Sequence, residues 1–286
     1  MTIKLTGKPV TKEIYSQIRV EIEENNLTPK LVIIIIGEDP ASKYYIQNLE
    51  KKGSKVGIAV ETKSYQVSIT QNDILKEIEN LNNDPTVHGI MIQKPLPSQL
   101  NESEIVMKIS PDKDMDGFHP LNVGNLVLDR KGFLPSTPAA VLEMLKFYNI
   151  ETSGKNIVII GRSNIVGKPL ANLLLRKSKT GNATVTVCHS KTQDLSKVCK
   201  KADILIAAIG RAFFVKPEMI KNNAIVIDVG VNRIGDPEKG YRYVGDVDYE
   251  ACFDKVLSIT PVPGGVGTVT TAMLLNNVLV AARKVI

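Results

Sequence analysis

Cysteine is scarce in this chain. Only Cys188, Cys199 and Cys252 occur among 286 residues, and none pairs in a CxxC spacing. That excludes a disulfide framework, argues against a thiolate metal site and fits buried thiols in a reducing compartment. Histidine is equally rare: His88, His119 and His189 lie far apart with no HxxxH or HExxH arrangement, so no metal is expected. The longest apolar run, LVIIII from Leu31, falls far short of the ~18 residues of a membrane span. The opening MTIKLTGKPV has no long apolar core behind a basic start, so no secretory signal is expected and the location reads as cytoplasmic. Charge is not concentrated either. The 36 basic and 30 acidic residues are scattered, and no basic block is interleaved with aromatics, which speaks against a nucleic-acid partner. The net charge of +6 reads as mild attraction to small anions. No repeat of solenoid length is present.

What remains is an ordinary globular composition long enough for two domains, with 43% apolar residues to build a core under each. KLVIIIIG from Lys30 is a continuous β-branched run, the pattern of a parallel strand buried on both faces. Asp39 and Pro40 then open a helix as cap and first residue. A strand near Ile58–Glu61, a helix after Thr70 and a strand in VHGIMIQ continue the alternation of βαβ units. A loop region rich in Pro, Asp and Gly leads to a helix opened by Thr137 and Pro138, where the domain junction is expected. A second alternation follows: NIVII, a helix from about Val166, ATVTVC, a helix near Leu195, ADILIAAIG, a helix near Pro217 and AIVIDVG. After LSIT and PVPGGVG, a last helix is expected from about Val269 to Lys284. The fold class is therefore α/β in two domains, the second a Rossmann-type doubly wound parallel sheet. The expected limits are 1–137, completed by a C-terminal helix 268–286, and 138–267.

NIVIIGRSNIVGKPLANLLL places Gly161 at a strand end and Gly167 inside the next helix, with Ser163 where a dinucleotide fingerprint carries its second glycine. A glycine there permits the tight turn, and the helix start offers unpaired N–H groups to a pyrophosphate. A plain strand-to-helix turn would look the same. The next strand ends in His189, Ser190, Lys191 and Thr192, with no carboxylate to hold a ribose 2′-hydroxyl. With Arg162, those donors suit a 2′-phosphate and hence NADP, although either basic residue alone reads as a solvated surface charge.

GRSNIVGKPLANLLL, CHSKT, VIDVGVN, VGDVD and ITPVPGGVG, in this order, together with EDPASKYYI, QKPLP and DKDMDGFHPLNVG, resemble the methylenetetrahydrofolate dehydrogenase/cyclohydrolase family over nearly the whole chain. The resemblance implies two α/β domains with a cleft between them, a homodimer, and a small-molecule tetrahydrofolate substrate in one-carbon metabolism. Oxidation of 5,10-methylenetetrahydrofolate with NADP⁺ would be followed by hydrolysis of the methenyl product to 10-formyltetrahydrofolate. It implies that Tyr45 stacks on the folate ring, that Asp116 accepts from the amino-pyrimidine edge, and that Gln93 faces the reacting centre. Pro263, Gly264 and Gly265 would bring backbone close to the ligands. Gly161, Arg162, Ser163, Ile165, Val166, Gly167, Ser190 and Val231 would line the cofactor site. Read without the resemblance, Tyr45 is a half-buried helix tyrosine, Asp116 a turn residue before Gly117, and Gln93 a strand end.

The chain departs from the family at one position of consequence. The family carries a lysine four residues after the stacking tyrosine; Ala41 and Ser42 fix that tyrosine as Tyr45, and four residues on stands Leu49. Residues i and i+4 share a helix face, so an isobutyl group replaces an amine beside the folate. Hydride transfer needs mainly positioning, whereas hydrolysis needs a group that moves protons. The dehydrogenase step is expected to survive and the cyclohydrolase step to be weak or lost. Lys52 and Lys94 stay open as replacement bases, and a non-catalytic folate or nucleotide binder is the third reading. Ser136 stands where the family commonly has cysteine, and Thr268 was expected to be able to cap the last helix.

Overall fold

β-Branched residues set the sheets of this protein, for which a computed structural model describes residues 1–238 and 240–283. In chain order the elements are β1 (Ile3–Lys4), α1 (Gly7–Glu24), β2 (Lys30–Ile36), α2 (Pro40–Val56), β3 (Ala59–Tyr65), α3 (Gln71–Asn83) and β4 (Gly89–Ile92). Next come α4 (Glu102–Lys108), α5 (Pro120–Val127), α6 (Ser136–Phe147), β5 (Asn156–Ile160), α7 (Gly167–Leu175), β6 (Thr184–Cys188) and α8 (Leu195–Cys199). The rest is β7 (Ile204–Ala207), β8 (Ile225–Asp228), β9 (Asn232–Asp236), β10 (Gly240–Val244), α9 (Tyr249–Cys252), β11 (Ser258–Ile259) and α10 (Val266–Arg283). The helix expected near Pro217 is a single 3₁₀ turn, Pro217–Met219.

The chain divides into two compact units. One comprises Met1–Lys12 and Thr137–Thr270, the other Glu13–Ser136 and the chain from Thr271 on. The first holds a parallel sheet in the order β1-β11-β8-β7-β5-β6 and the antiparallel pair β9–β10. Of its inner strands β7 is apolar throughout and β5 and β8 are mostly apolar, while the edge strand β6 exposes its threonines. Its core includes Val158, Ile160, Leu205, Val226 and Ile259, with all three cysteines buried among them. Burial pushes the Cys199 and Cys252 thiols up to about 12, which makes them inert packing groups.

The second unit holds the parallel sheet β3-β2-β4. Leu31–Ile36 are all buried, as a strand covered on both faces requires. α2 lays down a stripe of Ser42, Ile46, Leu49, Gly53 and Val56, spaced four and three apart, so one face is buried along its length. At Gly53 a Cβ would stand 2.6 Å from the Val60 side chain, so the absence of one lets α2 lie close on β3.

Three boundaries differ from the sequence reading. Residues 1–12 were expected in the first domain, but β1 pairs in parallel with β11 at Ile3–Ser258 and Lys4–Ile259 and so extends the six-stranded sheet. A two-residue strand is too short for periodicity to reveal. The last helix begins at Val266, before the expected Val269, so Thr268 lies within its first turn and does not cap it; the expected end at Lys284 lies outside the described residues. The hairpin β9–β10 was not anticipated. Among the described residues, no helix is long and apolar enough to cross a membrane.

Ser136, at the start of α6, has a buried hydroxyl without a hydrogen-bond partner. An unsatisfied buried polar group costs on the order of 1 kcal/mol or more. Ser136→Ala is therefore expected to raise the denaturant midpoint by an equivalent of about 1 kcal/mol, and a lowered midpoint would show that the hydroxyl is satisfied in solution.

Candidate active site

In the second unit the site is assembled from the start of α2. The Asp39 carboxylate accepts from the Ser42 N–H at 2.8 Å and from the Ser42 hydroxyl at 2.6 Å, capping the helix as its sequence foretells. Pro40, which has no N–H, takes the first helical position. Just beyond β4, the Gln93 amide donates to the Ser42 hydroxyl at 3.2 Å and to the Lys94 carbonyl at 2.9 Å. The Gln93 backbone N–H donates to Ile34 of β2 at 2.9 Å. A strand end and a helix start are thereby joined through one buried serine.

Tyr45 follows one turn after Ala41 and is half-buried. Its hydroxyl is pushed well above the ordinary tyrosine range by burial first, then by the charge of Asp116 and by Tyr15. Asp116 has a carboxyl pushed up to about 7, mainly by burial and secondarily by Asp114, with Lys94 pulling the other way. These three side chains share a low-dielectric neighbourhood. In the DMDG turn it is Asp114, not Asp116, that does the structural work. Its carboxylate accepts from the His119 N–H at 2.8 Å and the Asn122 amide at 2.9 Å, and its carbonyl accepts from Gly117. Asn277 of α10 donates to the Met115 and Leu134 carbonyls at 2.9 and 3.0 Å and fixes the turn from behind. The turn reading that Asp116 admits from sequence thus belongs to its neighbour.

Leu49 is completely buried on the α2 stripe, one turn after Tyr45. Lys51 is exposed. Lys52 is half-buried, and burial lowers its ammonium below the usual lysine range. It follows Tyr45 by two turns, within about 20° of the same helix side. Lys94 is engaged elsewhere: its ammonium lies 2.6 Å from Glu102 and 5.0 Å from the centre of the Phe118 ring.

Tyr15 of α1 was missed from sequence. Its hydroxyl is buried without a protein hydrogen-bond partner, and burial pushes it up to about 12. α1 buries a stripe including Val10, Thr11, Ile14 and Ile18, and that i, i+4 spacing is the signal from which the helix could have been found; nothing in the spacing singles out Tyr15. All three histidines serve the backbone. Nδ1 of His88, His119 and His189 accepts from the N–H of Lys30, Leu121 and Lys191 respectively.

In the other unit, the candidate cofactor residues lie at the C-terminal edge of the six-stranded sheet. Gly161 ends β5 with a φ of 130°, and a Cβ there would strike the Ala208 carbonyl. A Cβ on Gly167 would strike the Gly161 carbonyl. Both glycines are thus demanded by backbone approach, which gives the turn the cradle form suited to a dinucleotide. Ser163 replaces the middle glycine with a local cap: its hydroxyl accepts from Val166 N–H at 3.1 Å and Gly167 N–H at 3.5 Å. Arg162 and Ile165 are exposed at the rim. After β6, the His189 N–H donates to Thr192 Oγ1 at 2.9 Å, closing a turn that presents Ser190 and Lys191 to solvent. The nearest carboxylate along the chain, Asp194, pairs with Lys197 at 2.8 Å. Val231 is exposed beyond β8, while Pro263, Gly264 and Gly265 follow β11 on the same sheet edge. The Gly264 carbonyl accepts from Gly7 at 2.7 Å. Tyr45, Leu49, Gln93 and Asp116 therefore belong to one unit, and the remaining candidates to the other.

Comparison with known proteins agrees with this division. Residues 5–116 match the catalytic domain of the tetrahydrofolate dehydrogenase/cyclohydrolase family, and residues 135–286 match its NAD(P)-binding domain. The bifunctional protein FolD of Chloroherpeton thalassium is 50% identical over 285 residues, covering 97% of each chain. The crystal structure of the bifunctional FolD enzyme from Campylobacter jejuni is similar at a TM-score of 0.93 and 42% identity, covering 99% of each chain. That of Trypanosoma brucei FolD, complexed with NADP cofactor and inhibitor, gives a TM-score of 0.90 at 35% identity, covering 99% of this chain and 98% of that one. The chain belongs to the tetrahydrofolate dehydrogenase/cyclohydrolase family.

Proposed function

We propose that this protein oxidises 5,10-methylenetetrahydrofolate with NADP⁺ to 5,10-methenyltetrahydrofolate, and that it hydrolyses the methenyl product to 10-formyltetrahydrofolate weakly or not at all. The observation that carries the second half is Leu49, fully buried one turn from Tyr45. An alkyl group there neither holds a water nor moves a proton. Oxidation asks less of the protein: a hydride passes from the methylene bridge to the nicotinamide, which supplies the acceptor, and the residues have only to bind and orient. Tyr45 offers a ring face, Asp116 a carboxylate for the amino-pyrimidine N–H groups, and Gln93 a neutral amide already fixed through Ser42. The Gly161–Gly167 cradle, with Arg162, Ile165, Val166, Ser190 and Val231, suits a dinucleotide, and the absence of a carboxylate from residues 188–192 favours NADP. Pro263, Gly264 and Gly265 complete the proposed substrate residues. A homodimer and a cytoplasmic location belong to the same reading.

A second reading keeps both activities and makes Lys52 the base. Its half-burial, lowered ammonium and alignment with Tyr45 favour it over Lys94, which Glu102 and Phe118 engage.

With methylenetetrahydrofolate, kcat/KM is expected to be at least ~10-fold higher with NADP⁺ than with NAD⁺, the scale of a charge-assisted hydrogen bond. Equal or reversed values would overturn the cofactor assignment. Decay of added methenyltetrahydrofolate should barely exceed the rate in buffer. Leu49→Lys should raise that decay on the order of a hundredfold while lowering stability, because an amine enters a buried position. Fast decay by the unmodified protein, abolished in Lys52→Ala, would establish the second reading instead.

Asp116 gives a pH signature. Only its ionised form accepts both N–H donors of the pterin edge, so the folate KM should fall as pH rises through about 7. In Asp116→Asn this step should vanish and the KM rise roughly tenfold. Stability runs the other way. A carboxyl raised from 3.8 to about 7 favours the fold while protonated and loses that advantage as pH climbs between the two values. Asp116→Asn should therefore melt higher than the unmodified protein above neutrality and alike in acid. A pH-independent difference in Tm would contradict the buried-carboxyl account.

A further inference from the structure

Two glycine–aspartate pairs, Asp228 with Gly230 and Gly245 with Asp246, interlock at the C-terminal ends of β7, β8 and β10. The buried carboxylate of Asp228 accepts from the N–H groups of Gly230 at 3.0 Å, Asp246 at 3.0 Å and Val247 at 2.8 Å. Thr260 holds Asp228 in turn, its hydroxyl accepting the Asp228 N–H at 2.7 Å. Asp246, with no exposed surface, accepts from Ile209 N–H at 2.7 Å, Gly210 N–H at 3.0 Å, Arg211 N–H at 2.8 Å and the Asn232 amide at 2.9 Å. Each glycine makes room for the other segment's acid: a Cβ on Gly230 would overlap the Asp246 carboxylate, and a Cβ on Gly245 the Asp228 carboxylate.

The interlock controls the 208–211 loop, which leaves β7. β5 lies between β6 and β7, so the crevice between the ends of β5 and β7 is the switch point at which open α/β sheets bind ligands. The Ala208 carbonyl faces Gly161 across that crevice. Three consecutive N–H groups would by themselves form an anion-binding nest. Asp246 fills that nest from inside the protein. Because each peptide is planar and trans, N–H groups of residues 209–211 turned inward leave the carbonyls of residues 208–210 turned the opposite way. The loop therefore meets a ligand with acceptors, which suit the N–H donors of a carboxamide and repel phosphate.

We propose that Asp246, seated by Asp228, is a positioning residue for the nicotinamide end of NADP. It sets the 208–211 loop as a carbonyl wall while the phosphates are held separately at the Gly161–Gly167 turn. This rests on the NADP reading above.

The test compares two ligands on the full-length protein: NADP⁺, and 2′-phospho-ADP-ribose, which lacks the nicotinamide. In Asp246→Asn, NADP⁺ should bind about tenfold more weakly, the scale of disturbed hydrogen bonds to a charged group, while the truncated ligand and the folate KM should change less than twofold. Asn232→Ser, which removes one donor to Asp246 and leaves the backbone bonds in place, should show the same selective loss in smaller degree and covers the case in which Asp246→Asn does not fold. Equal weakening of both ligands, or none, would overturn the positioning role. If the unmodified protein bound neither ligand, the NADP reading would fall and this inference with it.

Discussion

The hydrogen-bonded chain from Asp39 through Ser42 to Gln93 is the constraint on which the candidate site of the second unit depends. A carboxylate that caps α2 also orients a buried hydroxyl, and that hydroxyl receives the amide at the end of β4. Two of these bonds go to the Asp39 carboxylate, and charge-assisted bonds are shorter and more directional than neutral ones. The consequence is geometric. With the helix start tied to the sheet, the rotation of α2 is fixed, and with it the directions of Tyr45, Leu49 and Lys52. A helix fixed at its origin offers only the residues on its own faces.

Burial acts on this neighbourhood in two directions. It raises the carboxyl of Asp116 and the hydroxyls of Tyr15 and Tyr45, and it lowers the ammonium of Lys52. Removing charges from water favours the neutral form of each, which brings the Asp116 carboxyl to about 7 and carries the two tyrosines further above neutral pH. Among these groups, Asp116 is the one whose carboxyl titrates near neutral pH. On the proposed reading, Leu49 contributes no acid–base group to this neighbourhood. The same desolvation makes Asp116 costly to the fold when ionised.

The sheets were legible because strands covered on both faces need unbroken β-branched runs, as in residues 32–36 and 157–160, and because Asp39 and Thr70 mark helix starts by a local hydrogen bond. α1 carries a legible i, i+4 apolar stripe that went unread, whereas β9–β10 was hidden, since a hairpin with mostly exposed residues on both faces has no apolar alternation. In the site, the spacing from Ala41 to Leu49 was readable because helix geometry converts spacing into direction. The division of labour between Asp114 and Asp116 was hidden, because two acids in one turn are told apart only by what the fold brings against them. The interlock of Asp228 with Gly245 and Asp246 with Gly230 was hidden for the same reason: each partner lies 16 or more residues away along the chain.

Leu49 makes the account decisive at one point, the fate of the methenyl product. The most direct measurement is a single reaction of the unmodified protein with methylenetetrahydrofolate and NADP⁺, in which NADPH, methenyltetrahydrofolate and 10-formyltetrahydrofolate are quantified together over time. The account predicts that methenyltetrahydrofolate accumulates in step with NADPH while the formyl product appears no faster than in protein-free buffer. Formation of 10-formyltetrahydrofolate in step with NADPH, without methenyl accumulation, would contradict it.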